Sequence, residues 1–418
     1  MKYIVILCDG MSDRPCAQLG GKTPMTLAQK PHMDALARAG ETGLCRTVAE
    51  GLKPGSDVAN LSVLGYDPRE CYTGRSPLEA ASIGIDLAED DMAFRCNLVT
   101  LSEDEPYAQK RMIDYCADDI STAEADVLMK AVQQELGSDT LRFYTGVSYR
   151  HCLVVRHAGE TGSFAPPHDI LDQVIGDHLP QAPPDDAIIA LQKRSVAVLQ
   201  NHPVNVARIK NGKRPANAIW LWGQGRKPKL QNFAGKFGLE GAMVSAVDLM
   251  RGIGKCVGMK VCEVPGATGY IDTDFEGKAK AALDALAGGQ DFVYIHVEAP
   301  DECGHRGEFE LKVRSLELID SRLIAPLLEG LNAIGEDYKI MILPDHATPL
   351  ELRTHVNDPV PFLIFQHAAG DASSLPLLKG ECPAGQGGFC DECFDEESAK
   401  AAGLFIDHGP DLMKRFLS

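Results

Sequence analysis

The chain is short of positive charge. Its 418 residues carry 41 lysines and arginines against 59 aspartates and glutamates, a formal net charge of −18. That balance excludes a surface built for nucleic acid or for an anionic membrane. A small phosphorylated metabolite remains compatible as partner, because local arginines or bound cations outweigh the global field. Long apolar runs are also missing. No segment approaches the roughly 18 apolar residues of a membrane span. The opening MKYIVILCDG holds too short an apolar run for a secretory signal. A complete glycine-rich phosphate cradle is absent as well: CAQLGGKT, residues 16–23, has Cys16 where a P-loop needs its first glycine. Aromatic residues make up 6%, with two tryptophans, Trp220 and Trp222, spaced for one face of a strand and read as core.

Cysteine is not scarce, but its 13 copies are odd in number, and Cys8, Cys152 and Cys262 lie inside apolar runs. Buried thiols in a reducing cytoplasm are expected, rather than a disulfide framework. The group Cys382, Cys390 and Cys393 is one ligand short of a closed zinc site and reads as a surface loop.

What is present is 44% hydrophobic residues, enough for a large core, in a length suited to two or three domains or one core with an insertion. Strand-like runs at residues 3–8, 292–297 and 338–343 each end in an acid: Asp9, then Asp301 within EAPDECGHRG, then Asp345 within PDHATPLELRTHVNDPVP. His305 lies four residues after Asp301, His346 follows Asp345 directly, and His355 follows in the same loop. Oxygen and nitrogen donors on rigid strand ends suit divalent cations. Two such clusters suit a pair of ions, the usual tool for displacement at phosphorus.

A third stretch, GLKPGSDVANLSVLGYDP at 51–68, turns sharply at Pro54-Gly55 and begins a helix near Ser56-Asp57. Ser56 reads either as a helix N-cap or as a nucleophile favoured by the helix N-terminus and a nearby cation.

Elsewhere the pattern predicts helices over residues 26–39, 121–136, 192–200, 242–250, 278–286, 311–331 and 411–417. Strands are predicted over 151–156, 260–264 and 361–366. Strand–helix alternation at both ends of the chain implies an α/β fold: a mostly parallel sheet with helices on both faces. Ligands of such sheets bind beyond the carboxyl ends of the strands, where Asp9, Asp301 and Asp345 all stand. Residues 1–90 and 236–418 form the expected catalytic domain, and 91–235 an inserted α/β substrate domain. In the insert Arg95, Asn97, Arg150 and His151 are candidates for gripping a carboxylate or phosphate, which Arg matches bidentately. Arg251 and Lys255 are candidate cations outside it.

Together Asp9-Gly10, PGSDVANLSVLGYDP, DECGH and PDHATP…RTH resemble the alkaline phosphatase superfamily. Most closely the chain resembles archaeal-type cofactor-independent phosphoglycerate mutases, with further likeness in TGRSPLEAASIGI, FRCNLVTL, VSYRH, KRPANAIWLWGQG and VPGATGYIDT. The resemblance implies an alkaline phosphatase-like sheet with two divalent ions, manganese foremost and zinc, cobalt or magnesium as alternatives. One ion would take Asp9, Ser56, Asp345 and His346; the other Asp301, His305 and His355. Ser56 would carry the phosphate between 3- and 2-phosphoglycerate as phosphoserine, without 2,3-bisphosphoglycerate. Relatives proposed as homoserine kinases imply an alternative, ATP-dependent phosphorylation on the same scaffold. A metal-dependent phosphohydrolase is a second. The arginine run of the longer bacterial mutases does not map onto this chain.

Overall fold

A computed structural model describes residues 1–159, 161–180, 186–369 and 393–418. Cys382 and Cys390 lie outside the described residues. Among those described, the strands are β1 (Lys2–Cys8), β2 (Glu41–Cys45), β3 (Met92–Leu101), β4 (Met112–Asp114), β5 (Leu141–Val147), β6 (Arg150–Val155) and β7 (Ala218–Arg226). They continue as β8 (Gly241–Val244), β9 (Lys260–Cys262), β10 (Phe292–Val297), β11 (Tyr338–Leu343), β12 (Val360–His367) and β13 (Phe405–Ile406).

The chain divides into two compact units, Met1–Tyr72 with Lys229–Ser418, and Thr73–Pro228. The expected boundaries at 90/91 and 235/236 fall inside these units. Helix Arg75–Ser82 packs on β3 and β7 and so goes with the second unit.

The first unit is built on an eight-stranded sheet in the order β13-β2-β12-β11-β1-β10-β8-β9. Pairs β11-β1, β1-β10, β10-β8 and β8-β9 are parallel; β12 runs antiparallel to both β11 and β2. Helices 31–39, 275–287, 309–319 and 325–334 close one face over Ile4, Ile6, Val293, Ile295, Ile340 and Ile342. Strands β10 and β11 are buried along their whole length. Strands covered on both faces are apolar at most positions, and β10 and β11, His296 and Lys339 apart, announce themselves in the sequence for that reason.

Three expectations are corrected. The helix expected at 26–39 is two, Pro24–Leu27 and Pro31–Ala39, because the residue before Pro31 is pushed out of helical geometry. Residues 242–250 are not one helix but the end of β8 followed by helix Asp248–Cys256, since a short buried strand and a buried helical turn carry the same apolar signal. The helix expected at 311–331 runs from Phe309 to Ile334 through a π turn at Asp320–Ile324. At that turn buried Asp320 accepts from the amides of His32 and Met33 at 3.2 and 2.8 Å, satisfying the first turn of helix Pro31–Ala39.

The second unit is an antiparallel sheet with β3 central, flanked by β6 and β7 and extended by β4 and β5. Every residue of β3 is buried. Trp220 is fully buried in this core, its indole N–H donating to Ala165 O at 2.9 Å. No helix of the described residues is long and apolar enough to cross a membrane, and their cysteines are all free thiols.

A buried ion pair ties the loops at the rim of the large sheet. Lys312 is fully buried, and its Nζ donates to Asp13 Oδ2 and to Thr348 O, each at 2.8 Å. Lys312→Ala would leave the Asp13 carboxylate buried without its partner. A loss of about 3–5 kcal/mol is expected, measured from denaturant unfolding; a loss under about 1 kcal/mol, the range of an exposed pair, would mean that the pair carries no structural weight.

Candidate metal centre and nucleophile

Parallel register brings the three acids to one rim. Cys8 at the end of β1 pairs with Val297 of β10, and Leu7 pairs with Leu343 of β11. The next residues out are Asp9, helix Ala299–Arg306 with Asp301 in its first turn, and the loop bearing Asp345 and His346. Gly10 has φ +60°, and a Cβ there would stand 2.6 Å from both Asp301 Oδ1 and Thr348 Oγ1, so no larger residue fits.

The donors gather in two groups, Asp9 with Asp345 and His346, and Asp301 with His305 and His355. Within each group the ligand atoms lie within 4.8 Å of one another. His346 Nε2 stands 3.6 Å from Asp9 Oδ1, 3.3 Å from Asp345 Oδ2 and 3.2 Å from Ser56 Oγ. In the second group His305 Nε2 is 3.2 Å from Asp301 Oδ2, and His355 Nε2 is 3.4 Å from Asp301 Oδ1. The two Nε2 atoms lie 2.8 Å apart, and the His346 and His355 rings stack with centroids 3.8 Å apart, joining the groups.

Ser56 does not cap its helix. Gly55 occupies the N-cap, and Ser56 is the first residue of helix Ser56–Val63. The capping reading is therefore set aside: the hydroxyl is turned toward His346.

The residues fit a divalent cation on three counts. Asp9 Oδ1 is buried with no hydrogen-bond partner, the condition of an oxygen awaiting a ligand. Burial, then the charges of Asp345 and Asp301, raise the Asp9 carboxyl well above its ordinary range, a repulsion that a cation would relieve. Burial also opposes the charged form of Asp301, yet hydrogen bonds from His305 and His355 hold it well below the ordinary range. His305 shows the converse: burial lowers it, but the Asp301 hydrogen bond and charge hold it up at about 9. Protons among these rings stand where a metal would displace them.

Several contributors escaped the sequence reading: His296, Ser245, Lys278, Thr348 and Asn60. Buried His296 brings Nε2 to 2.9 Å from Asp9 Oδ2 and Nδ1 to 3.2 Å from Ser245 Oγ. Burial and then the Lys278 charge push His296 down to about 3, so the ring is neutral. With a cation keeping Asp9 ionised, the ring proton would sit on Nε2 and Nδ1 would accept from Ser245. A histidine inside the fully buried run FVYIHV was the available signal. Thr348 Oγ1 donates to Asp301 Oδ1 at 2.5 Å.

The substrate-grip candidates separate. Asn97 pairs with Arg150 and Arg95 with Cys152, whereas His151 pairs with Cys96. Alternation along the strands therefore puts Arg95, Asn97 and Arg150 on one face of the smaller sheet and His151 on the other. Arg95 pairs with Glu79 at 3.1 Å and lies over Trp222 at 4.5 Å. Arg75 joins Glu79 at 2.8 Å. Asn97 Oδ1 accepts from Trp222 Nε1 at 3.0 Å. Arg150 is exposed and lies over Tyr149. His151 is pushed down to about 3 by burial and accepts from Gly146 N at 3.1 Å. Arg251, on helix Asp248–Cys256, pairs with Glu263.

Comparison with known proteins gives a consistent result. A sequence model of the family described as 2,3-bisphosphoglycerate-independent phosphoglycerate mutase matches residues 37–205. A protein of Geobacter sulfurreducens named as a probable enzyme of that kind is 52% identical over 417 residues, covering 100% of both chains. One from Methanosarcina barkeri carrying the same name is 47% identical, covering 99% of this chain and 98% of its own. The solved cofactor-independent phosphoglycerate mutase of Thermoplasma acidophilum superposes with a TM-score of 0.60 at 26% identity, with full coverage of both chains.

His296→Leu would remove the donor to Asp9 while roughly keeping the volume. Equilibrium dialysis against Mn²⁺ is expected to show binding weakened by about 10–100-fold; wild-type binding would mean that His296 does not orient a ligand.

Proposed function

Because the chain belongs to the 2,3-bisphosphoglycerate-independent phosphoglycerate mutase family, we propose that it interconverts 3-phosphoglycerate and 2-phosphoglycerate through Ser56. The observation that carries this reading is Ser56 Oγ at 3.2 Å from His346 Nε2, on the first turn of a helix and beside two groups of metal-type donors. A nucleophile among the ligands is superfluous for a purely structural metal, which fills its coordination without one.

In this reading Asp9, Ser56, Asp345 and His346 would hold one ion and Asp301, His305 and His355 the other. Carboxylate and imidazole donors suit manganese, with zinc, cobalt or magnesium as alternatives. Such ions would supply charge neutralisation at the phosphoryl oxygens and a lowered hydroxyl pKa at Ser56. Ser56 Oγ forms the new P–O bond as the bond to the substrate's C3 oxygen breaks, and that oxygen takes up a proton. The glycerate then turns so that its C2 hydroxyl attacks the phosphoserine. Ser56 recovers its proton, and no phosphate is released. Amides at the start of helix Ser56–Val63 favour the negative charge that Ser56 carries in the intermediate.

Arg95 and Arg150 share a face with Arg75 nearby, and the charge of Arg150 also acts on Glu79. Of this set Arg150 is the candidate to grip the substrate's carboxylate, since Arg95 is already paired with Glu79. The mutase names of the relatives favour this activity over homoserine phosphorylation, which would need ATP, and over hydrolysis, which would release phosphate.

Phosphorus NMR of Mn²⁺-loaded protein with 3-phosphoglycerate, without ATP or bisphosphoglycerate, is expected to show 2-phosphoglycerate and no free phosphate. Ser56→Ala is expected to abolish that conversion with the fold intact, and excess chelator to stop it until Mn²⁺ is restored. Full activity in the Ser56→Ala variant would refute the covalent route. Arg150→Ala is expected to raise KM by about tenfold or more, the worth of one charge-assisted hydrogen bond, with kcat changed far less; an unaltered KM would remove Arg150 from the substrate.

A further inference from the structure

Asn60 lies one helical turn after Ser56 and is fully buried. Its Nδ2 donates to Ser56 O at 2.8 Å and to Asp345 Oδ2 at 2.9 Å. The hydroxyl of Tyr294, on β10, contacts its Oδ1 at 2.7 Å. The directions of these bonds are forced. A peptide carbonyl and a carboxylate only accept, so the NH₂ end of the amide must face Ser56 and Asp345. Oδ1 must then face Tyr294, which must donate. Burial raises the Tyr294 phenol well above its ordinary value, in keeping with that donor role. Every hydrogen-bonding atom of the Asn60 side chain is thereby used, with no second orientation available to it.

The three anchors belong to three elements: the helix carrying the nucleophile, the loop after β11 carrying Asp345 and His346, and the strand β10 that leads to Asp301. Asp345 Oδ1 accepts from the amides of Gly10 and His346 at 3.2 and 2.9 Å, so Asn60 is the partner that fixes Oδ2. Oδ2 is also the oxygen 3.3 Å from His346 Nε2.

We propose that Asn60, held by Tyr294, is a positioning residue that sets Ser56 and the Asp345 carboxylate in one fixed relation. A shorter side chain leaves Asp345 Oδ2 without the Asn60 donor and frees the first turn of the helix against the loop after β11. An aspartate would turn a third carboxylate against Asp345. The proposal rests on the mutase reading for its kinetic arm only.

The test uses the full chain as wild type, Asn60→Ala, Tyr294→Phe and the double variant. Each is stripped with chelator, titrated with Mn²⁺ in a calorimeter, and assayed with 3-phosphoglycerate. Asn60→Ala is expected to weaken one class of Mn²⁺ site by about 10–100-fold and leave the other unchanged. Its kcat per folded molecule should fall to a similar degree, with KM within about twofold. Tyr294→Phe should act in the same direction but less, and the double variant should be no worse than Asn60→Ala, because Tyr294 acts through the amide.

A folded Asn60→Ala protein with wild-type titration and kcat would overturn the proposal, even with a lowered melting temperature, since that is what a merely structural role produces. Additive losses in the double variant would overturn the relay. Should Asn60→Ala fail to fold, Tyr294→Phe decides alone: wild-type values in both readouts overturn the proposal, and weakened Mn²⁺ binding upholds it. A wild-type protein that makes no 2-phosphoglycerate would sink the mutase reading, while the Mn²⁺ titration would still judge Asn60.

Discussion

Repulsion among buried acids is the constraint around which the first unit is arranged. Asp9, Asp301 and Asp345 are each at most 5% exposed, and the parallel pairing of β1 with β10 and β11 forces them together. Carboxylates in a dry setting need donors or cations. Around the three acids stand backbone amides, the Thr348 hydroxyl, His296 and the imidazoles of His305, His346 and His355. Asp9 Oδ1 alone of these carboxylate oxygens is left buried without a partner. A site that accumulates negative charge and leaves one carboxylate oxygen without a donor suits a divalent cation.

Such a site needs rigid supports, and the rim loops have them. The Lys312–Asp13 pair fastens the segment after β1 to the loop after β11, where Leu350 N also donates to Asp13. Half-buried Glu396 accepts from Asp13 N at 2.9 Å, Ser12 Oγ at 3.2 Å and Thr23 Oγ1 at 2.7 Å. These bonds join chain segments more than 280 residues apart in sequence, so the ligand geometry depends on the completed fold. In the second unit the arrangement is simpler: an antiparallel sheet displays alternate residues on opposite faces. Pairing register alone sorts Arg95, Asn97 and Arg150 from His151.

The sequence was most readable where burial is complete. Runs such as YKIMIL and FVYIHV are buried along their whole length and apolar but for Lys339 and His296, and the acids beyond them stand out against that background. It was least readable where one short apolar run suits two structures, as at β8, and where a proline or a π turn divides a helix, as at Pro31 and Asp320. Ser56 illustrates the same limit at the site. Taken alone its motif favours a cap, and one residue of helix phase puts Gly55 in that position instead.

By itself, then, the sequence determined the chemical inventory: the strand-end acids, the three histidines, the serine at a helix start, and a charge balance unsuited to polyanions. These are local properties, set by residue type and by hydrophobic period. The tertiary structure decided which atoms meet. It set His346 Nε2 among Asp9, Asp345 and Ser56, placed His296 behind Asp9, and fixed Asn60 between Ser56 and Asp345. Those contacts join strands and loops far apart along the chain. They exist because parallel pairing and a packed core bring the carboxyl ends of β1, β10 and β11 side by side, which no local pattern encodes.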